Sequence, residues 1–178
     1  MKNLSIYLSL ILALACPHVS SAGAADDEDS LNYPKAAPAI TLDPAAVGLT
    51  PKGDEAESVH LLQLAREDGS QFPAFLMVTL PKEKTLQIDL NNYVHAMVDS
   101  MKLEGAKFET GSKLEISFEN TTQTVSGKSK DGVDLTVLAV CFRVKDMSYI
   151  VVAIQPPDLL PDGKTTLTDL IETVEPVE

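Results

Sequence analysis

Tryptophan is absent from the 178 residues, and only five phenylalanines and four tyrosines occur. A core built from this chain must therefore be filled by Ile, Leu, Val and Met. Cysteine is nearly absent too: Cys16 lies in the first apolar run and Cys141 in the body of the chain. The body cannot close an intramolecular disulfide or build a Cys-based zinc site. Positive charge is scarce, with 14 Lys and Arg against 26 Asp and Glu, a net −12. A polyanion is repelled on average, and no basic run interleaved with aromatics counters that, so no nucleic-acid partner is expected. No apolar run approaches the roughly twenty residues of a membrane-spanning helix. Gly-rich phosphate loops, H-E-x-x-H, G-x-S-x-G and an alternating Asp loop closed by Glu are all missing.

What is present at the start is an export signal. Lys2 precedes an apolar run of about twelve residues, Leu4 to Ala15, too short to remain in a bilayer. Pro17 ends any helix, and Ser20-Ser21-Ala22 and Ala22-Gly23-Ala24 supply small residues at −3 and −1 for a signal peptidase. Residues 1–24 are read as a cleaved signal peptide, which makes the protein periplasmic or secreted. Cys16 opens a second route, lipidation: Ala15 before it fits, while Ala13 and Pro17 do not. Membrane attachment follows only if Cys16 is lipidated. Cleavage leaves about 154 residues, enough for one domain with a real core. Losing Lys2 leaves 13 basic against 26 acidic side chains, a net −13.

Residues 25–57 are acidic (Asp26, Asp27, Glu28, Asp29) and rich in Pro and Ala (Pro34, Pro38, Pro44, Pro51), the composition of an extended, partly disordered leader. Ile40-Thr41-Leu42 ahead of Asp43-Pro44 reads as a short edge strand, which can open the domain at 39–43. From Ser58 to the end the pattern is that of a single α+β domain. Val59–Ala65 and Gln71–Leu80 form a hairpin around Asp68-Gly69. Val94, Met97, Val98 and Met101 at i, i+3, i+4 and i+7 mark a helix, with Asn91 as N-cap and Gly105 as its stop. Leu114, Ile116 and Phe118 alternate with polar residues as in a strand. Gln123–Ser129, Asp134–Val144 and Tyr149–Gln155 are further strands, and their short connections demand antiparallel neighbours. Pro161-Asp162-Gly163 turns the chain into a closing helix, Thr165–Val174, with Leu167, Leu170, Ile171 and Val174 inward. The expectation is an antiparallel sheet of about five to six strands flanked by helices.

That layout resembles the PsbP-like family and its bacterial DcrB-like envelope relatives. The elements that carry it are the strand pair, the helix ending near Gly105, and the meander containing Val125-Ser126-Gly127. The Tyr-led strand Tyr149-Ile150-Val151-Val152 and the closing segment Leu167 to Val174 complete it. The resemblance spans about Ile40 to Val174 and has no diagnostic motif. It implies an α/β/α sandwich and an exported or lipid-anchored protein of accessory or binding role, acting on an envelope protein or a small ligand. The family has no shared catalytic set, so it implies no catalytic residue and no cofactor here.

Candidate chemistry is thin. His95 and Asp99, at i and i+4 of the helix, are the candidate metal ligands. A site needs three or four, and His60 is the sole other histidine past the signal, so the ordinary reading is helix-surface residues. Cys141, among Leu138, Ala139, Val140 and Phe142, reads as a buried small hydrophobe and not as a nucleophile, which would need access and a nearby cation. Carboxylate pairs such as Asp131 with Asp134, or Glu115 with Glu119, sit in no pattern that requires them. Asn120-Thr121-Thr122 is a glycosylation sequon. The sequence points to a non-catalytic binding module, the alternative being a small secreted or periplasmic hydrolase or metal-binding protein using acidic residues and His95.

Overall fold

A computed structural model describes residues 31–33, 40–56, 61–81 and 85–177. The signal segment, the lipidation candidate Cys16, the acidic cluster and His60 lie outside the described residues. Seven strands form one antiparallel sheet: β3 (Leu49–Ala56), β4 (Leu61–Arg66), β5 (Ala74–Pro81), β6 (Glu104–Gly111), β7 (Asn120–Lys128), β8 (Asp134–Val144) and β9 (Met147–Gln155). Their spatial order is β3-β4-β5-β9-β8-β7-β6. A second sheet of three short strands has the order β1-β2-β10, from Leu31–Tyr33, Ile40–Leu42 and Glu175–Pro176. Helix α1 (Leu86–Met101) covers one face, and α2 (Leu160–Glu172) with the small sheet covers the other.

The α+β class and the antiparallel sheet stand; the size of the sheet differs from the expected five to six strands. Two edge strands were added, and one expected strand is a loop. β6 has a single large apolar residue, Phe108, and is exposed over most of its length. An edge strand packing against little has no apolar alternation to announce it. β3 contains Pro51, opposite Leu64, and its place at the sheet edge tolerates the missing N–H. The structured region thus starts before Ser58, inside the stretch read as leader. Ile40, Leu42 and Leu49 are at most 1% exposed. Thr41 pairs with Glu175, and Thr173 Oγ1 accepts the Asp43 N–H at 3.0 Å. The partners of this segment lie 130 residues away in sequence, so no local pattern reports them.

The expected strand 114–118 is drawn into a loop by one side chain. Asn120 is buried; its Oδ1 accepts the Leu114 N–H at 2.8 Å, and its Nδ2 donates to the Leu114 and Phe118 carbonyls at 3.1 and 3.0 Å. Leu114, Ile116 and Phe118 still face inward, against the α2-side core. The alternation is real, but its backbone bonds go to Asn120 and not to a neighbouring strand.

Both helices begin earlier than expected. Thr85 caps α1, its side chain accepting the Ile88 N–H, and Asn91 lies mid-helix. Lys102 takes a left-handed conformation (φ 53°) just past the helix end, ahead of Gly105 (φ 64°). α2 starts at Leu160 and takes Pro161 into its first turn, where the absent N–H costs nothing. Gly163 is then helical and packs on Gln155: a Cβ there would sit 1.9 Å from Gln155 Oε1.

The centre of the sheet is β5-β9-β8, buried on both faces and apolar over most of its length. In β8, Val137, Ala139 and Cys141 turn to α1, while Leu138, Val140, Phe142 and Val144 turn to α2. Strands covered on both sides lose the polar half of the alternation.

Candidate functional site

The apolar α1 face ends in a polar row. Past Cys141, the next residue of β8 on that face is Arg143, paired in register with Ser148 of β9. Asp89, in the first turn of α1, comes down between them. Arg143 Nη2 donates to Asp89 Oδ2 at 3.3 Å, and Ser148 Oγ donates to the same oxygen at 3.1 Å. Arg143 Nη2 also reaches Ser148 Oγ at 3.4 Å. Asp89 is 7% exposed and Ser148 fully buried. Ionised groups at such depth are retained only when paired and hydrogen-bonded.

Beside it, Thr121 of β7, opposite Cys141 in register, donates to Gln87 Oε1 at 2.6 Å, and Gln87 Nε2 donates to Asn91 Oδ1 at 2.8 Å. The first two turns of α1 are therefore fixed to three strands by hydrogen bonds, its later turns by Val94, Met97 and Val98. This arrangement can orient a helix on a sheet. The sequence offered a signal for it: Arg143 interrupts a long apolar strand, and Asp89 falls on the apolar stripe of α1 between Leu86 and Leu90. Each is a charge where only a partner makes it tolerable.

Cys141 is fully buried, and burial pushes its thiol up to about 12, with the Asp89 carboxylate adding to the rise and Arg143 opposing it. A thiol held neutral to that pH and shielded from solvent is a packing group, not a nucleophile. His95 and Asp99 are both exposed on α1. His95 stacks on Phe108 of β6, ring centroids 4.1 Å apart and planes at 23°. Among the described residues no three His, Cys, Asp or Glu side chains converge into a metal-binding group. Glu115, Glu119, Asp131 and Asp134 are all exposed, and Asp134 pairs with Lys128 at 3.2 Å. The sequon asparagine, Asn120, spends its amide on the loop bonds described above.

The opposite face carries aromatics instead of charge. Phe142 stacks with Tyr149 (5.4 Å, 19°) and meets Phe118 (5.5 Å). Tyr149 Oη and Thr79 Oγ1, on directly opposed residues of β9 and β5, have no hydrogen-bond partner among the described residues, nor does the amide of Gln155. Burial pushes the Tyr149 hydroxyl up to about 12.

No protein-family profile matches the sequence, and comparison with curated proteins finds no match. Solved structures do match. The chain superposes on the cyanobacterial PsbP protein CyanoP of Synechocystis with a TM-score of 0.55. The alignment takes in 89% of this chain and 99% of that one at 9% identity. The fold is PsbP-like. LpqN, described as involved in cell envelope biogenesis of Mycobacterium tuberculosis, aligns over 74% of this chain and 79% of its own, at 11% identity and a TM-score of 0.49. The PsbP-like architecture accounts for the layers seen here: a central antiparallel sheet with helices on both sides. Among the described residues no helix is long and apolar enough to cross a membrane.

Proposed function

We propose that the protein is an exported, non-catalytic accessory module that binds an envelope protein or a small ligand through the surface of a PsbP-like domain. The observation that carries this reading is the use to which the buried reactive groups are put. Asp89, Arg143 and Ser148 satisfy one another, Cys141 is held neutral inside the sheet, and Asn120 is consumed by a loop. These groups support the helix and the loop and are not directed at a substrate. The PsbP-like fold, whose resemblance implies accessory proteins without a common catalytic set, agrees with it. Export rests on the apolar run Leu4–Ala15 and the small residues around Ala22 and Ala24.

Two measurements test the proposal. Mass spectrometry of the protein recovered from its host should give an N-terminus near Gly23 or Ala25; a diacylglyceryl group on Cys16 would establish the anchored form, and retained Met1 would sink export. Immobilised protein should take up a defined, saturable partner from envelope extract, identified by mass spectrometry. Turnover of ester, peptide or glycoside substrates that disappears in His95→Ala would overturn the non-catalytic reading.

A further inference from the structure

The outer edge of β6 pairs with no strand among the described residues. Glu104, Gly105, Lys107, Phe108, Glu109 and Thr110 are all exposed there, so the edge is open to water. An open edge offers a row of unpaired N–H and C=O groups that another strand can take up. β6 carries a bulge between Glu104 and Lys107, but from Lys107 to Gly111 its pairing with β7 is regular.

The order of charges along that regular stretch is self-complementary. Phe108 sits between Lys107 and Glu109. If two copies of β6 lie antiparallel about a twofold axis at Phe108, Lys107 of each copy stands opposite Glu109 of the other, twice. Phe108 stands opposite its own counterpart. Side chains alternate between faces, so the two Lys–Glu pairs lie on one face and the aromatic pair on the α1 face, where Phe108 is opposite Val125 in register. Phe108 is 36% exposed, one of three large apolar side chains among the described residues left so far in solvent, and one face of its ring is already taken by His95. The pairing would set four rings in a row, His95, Phe108 and their twofold mates.

From this complementarity we propose that β6 is a self-association edge, through which two copies join their sheets antiparallel about Phe108. Opposite charges directly across a strand pair attract and like charges repel, so register is specified by the Lys107–Glu109 match. The contact is small, at the low end of specific interfaces (below about 1,200 Å²), and so reversible and dependent on concentration. It is independent of the binding role proposed above: loss of association leaves partner capture untested, and loss of partner capture leaves association untouched.

Charge reversal tests it. Sedimentation of the purified protein over about three decades of concentration should show a monomer–dimer equilibrium. Lys107→Glu, or Glu109→Lys, places like charges at both pairs and should weaken the dimer about tenfold or more. The double variant Lys107→Glu/Glu109→Lys restores both pairs with the signs exchanged and should bring association back close to that of the parent. All three changes are at exposed positions and should leave the thermal unfolding curve in place. A protein that stays monomeric throughout overturns the proposal. So does a dimer indifferent to single reversal, or one that the double reversal fails to restore.

Discussion

The two faces of the seven-stranded sheet are closed in different ways. Under α1 a single helix suffices, and the apolar contact is completed by an ion pair and a chain of hydrogen bonds at one end. Under α2 the cover is assembled from three remote pieces: the helix, the small sheet and the loop 112–119. There the interior holds Tyr33, Phe75, Phe142 and Tyr149, and among the described residues no buried charge. A helix lying on a sheet can slide or rotate with little change in apolar area, and directional bonds such as Asp89 to Arg143 remove that freedom. A cover made of several pieces, each tied elsewhere in the chain, has less of it to lose.

Breaking the charged end should have the largest effect. Arg143→Met leaves Asp89 buried without its cation and should cost about 3–5 kcal/mol in urea unfolding. Adding Asp89→Leu removes the stranded charge and should recover most of that loss. If the double variant is as unstable as the single one, the pair does more than satisfy itself. On the other face, Asn120→Ala deprives two carbonyls and one N–H of their partner, at about 2–3 kcal/mol. Faster hydrogen exchange at Leu114, with exchange in α1 unchanged, would confine the damage to that cover.

The faces also differ in alkali. Both Cys141 and Tyr149 are raised by burial, from 9.0 and 10.0 respectively, each to about 12. The unfolded chain therefore loses these protons first. Stability is fully present below pH 9.0, then falls as pH rises towards 12, at about 1.4 kcal/mol per pH unit for each group. Cys141→Ala should abolish the fall between 9.0 and 10.0 and make it shallower from there to about 12, where the tyrosine still contributes. The smallest effect belongs to the outer surface of α1. Asp99→Ala should change stability by less than about 0.5 kcal/mol, and His95→Ala by about 0.5–1 through the lost stack on Phe108. Zinc should not raise the melting temperature; a rise of several degrees that His95→Ala abolishes would show a metal site.

The sequence was most legible where covering is symmetrical and local. β8 and β9 announce themselves as long apolar runs, and the later turns of α1 and α2 by their 3.6-residue spacing. It was least legible where a side chain competes with the backbone or where a partner is distant. Asn120 turns an alternating pattern into a loop, and β6 has too little to bury to be noticed. β2 was read as a strand but as an edge, since its partner β10 lies at the far end of the chain. The polar row was hidden for a related reason. The expected helix began after Gln87 and Asp89, at an asparagine that instead bonds one turn back to Gln87, so the place of Asp89 on the apolar stripe shows only once the helix is extended back to Leu86. Arg143 stood in plain view as a charge within a core strand.

The placing of β9 has a consequence for how the chain acquires this structure. β9 lies between β5 and β8, at the middle of the sheet, although it is nearly the last strand to be made. Until residue 155 is available, β3-β4-β5 and β8-β7-β6 are separate pieces with their inner edges open. β5 and β9 are joined across more than sixty intervening residues, a long-range closure of the kind that slows folding. A sheet that cannot close before the C-terminal third of the chain is available stays in two open halves until then, and the insertion of that one strand joins them.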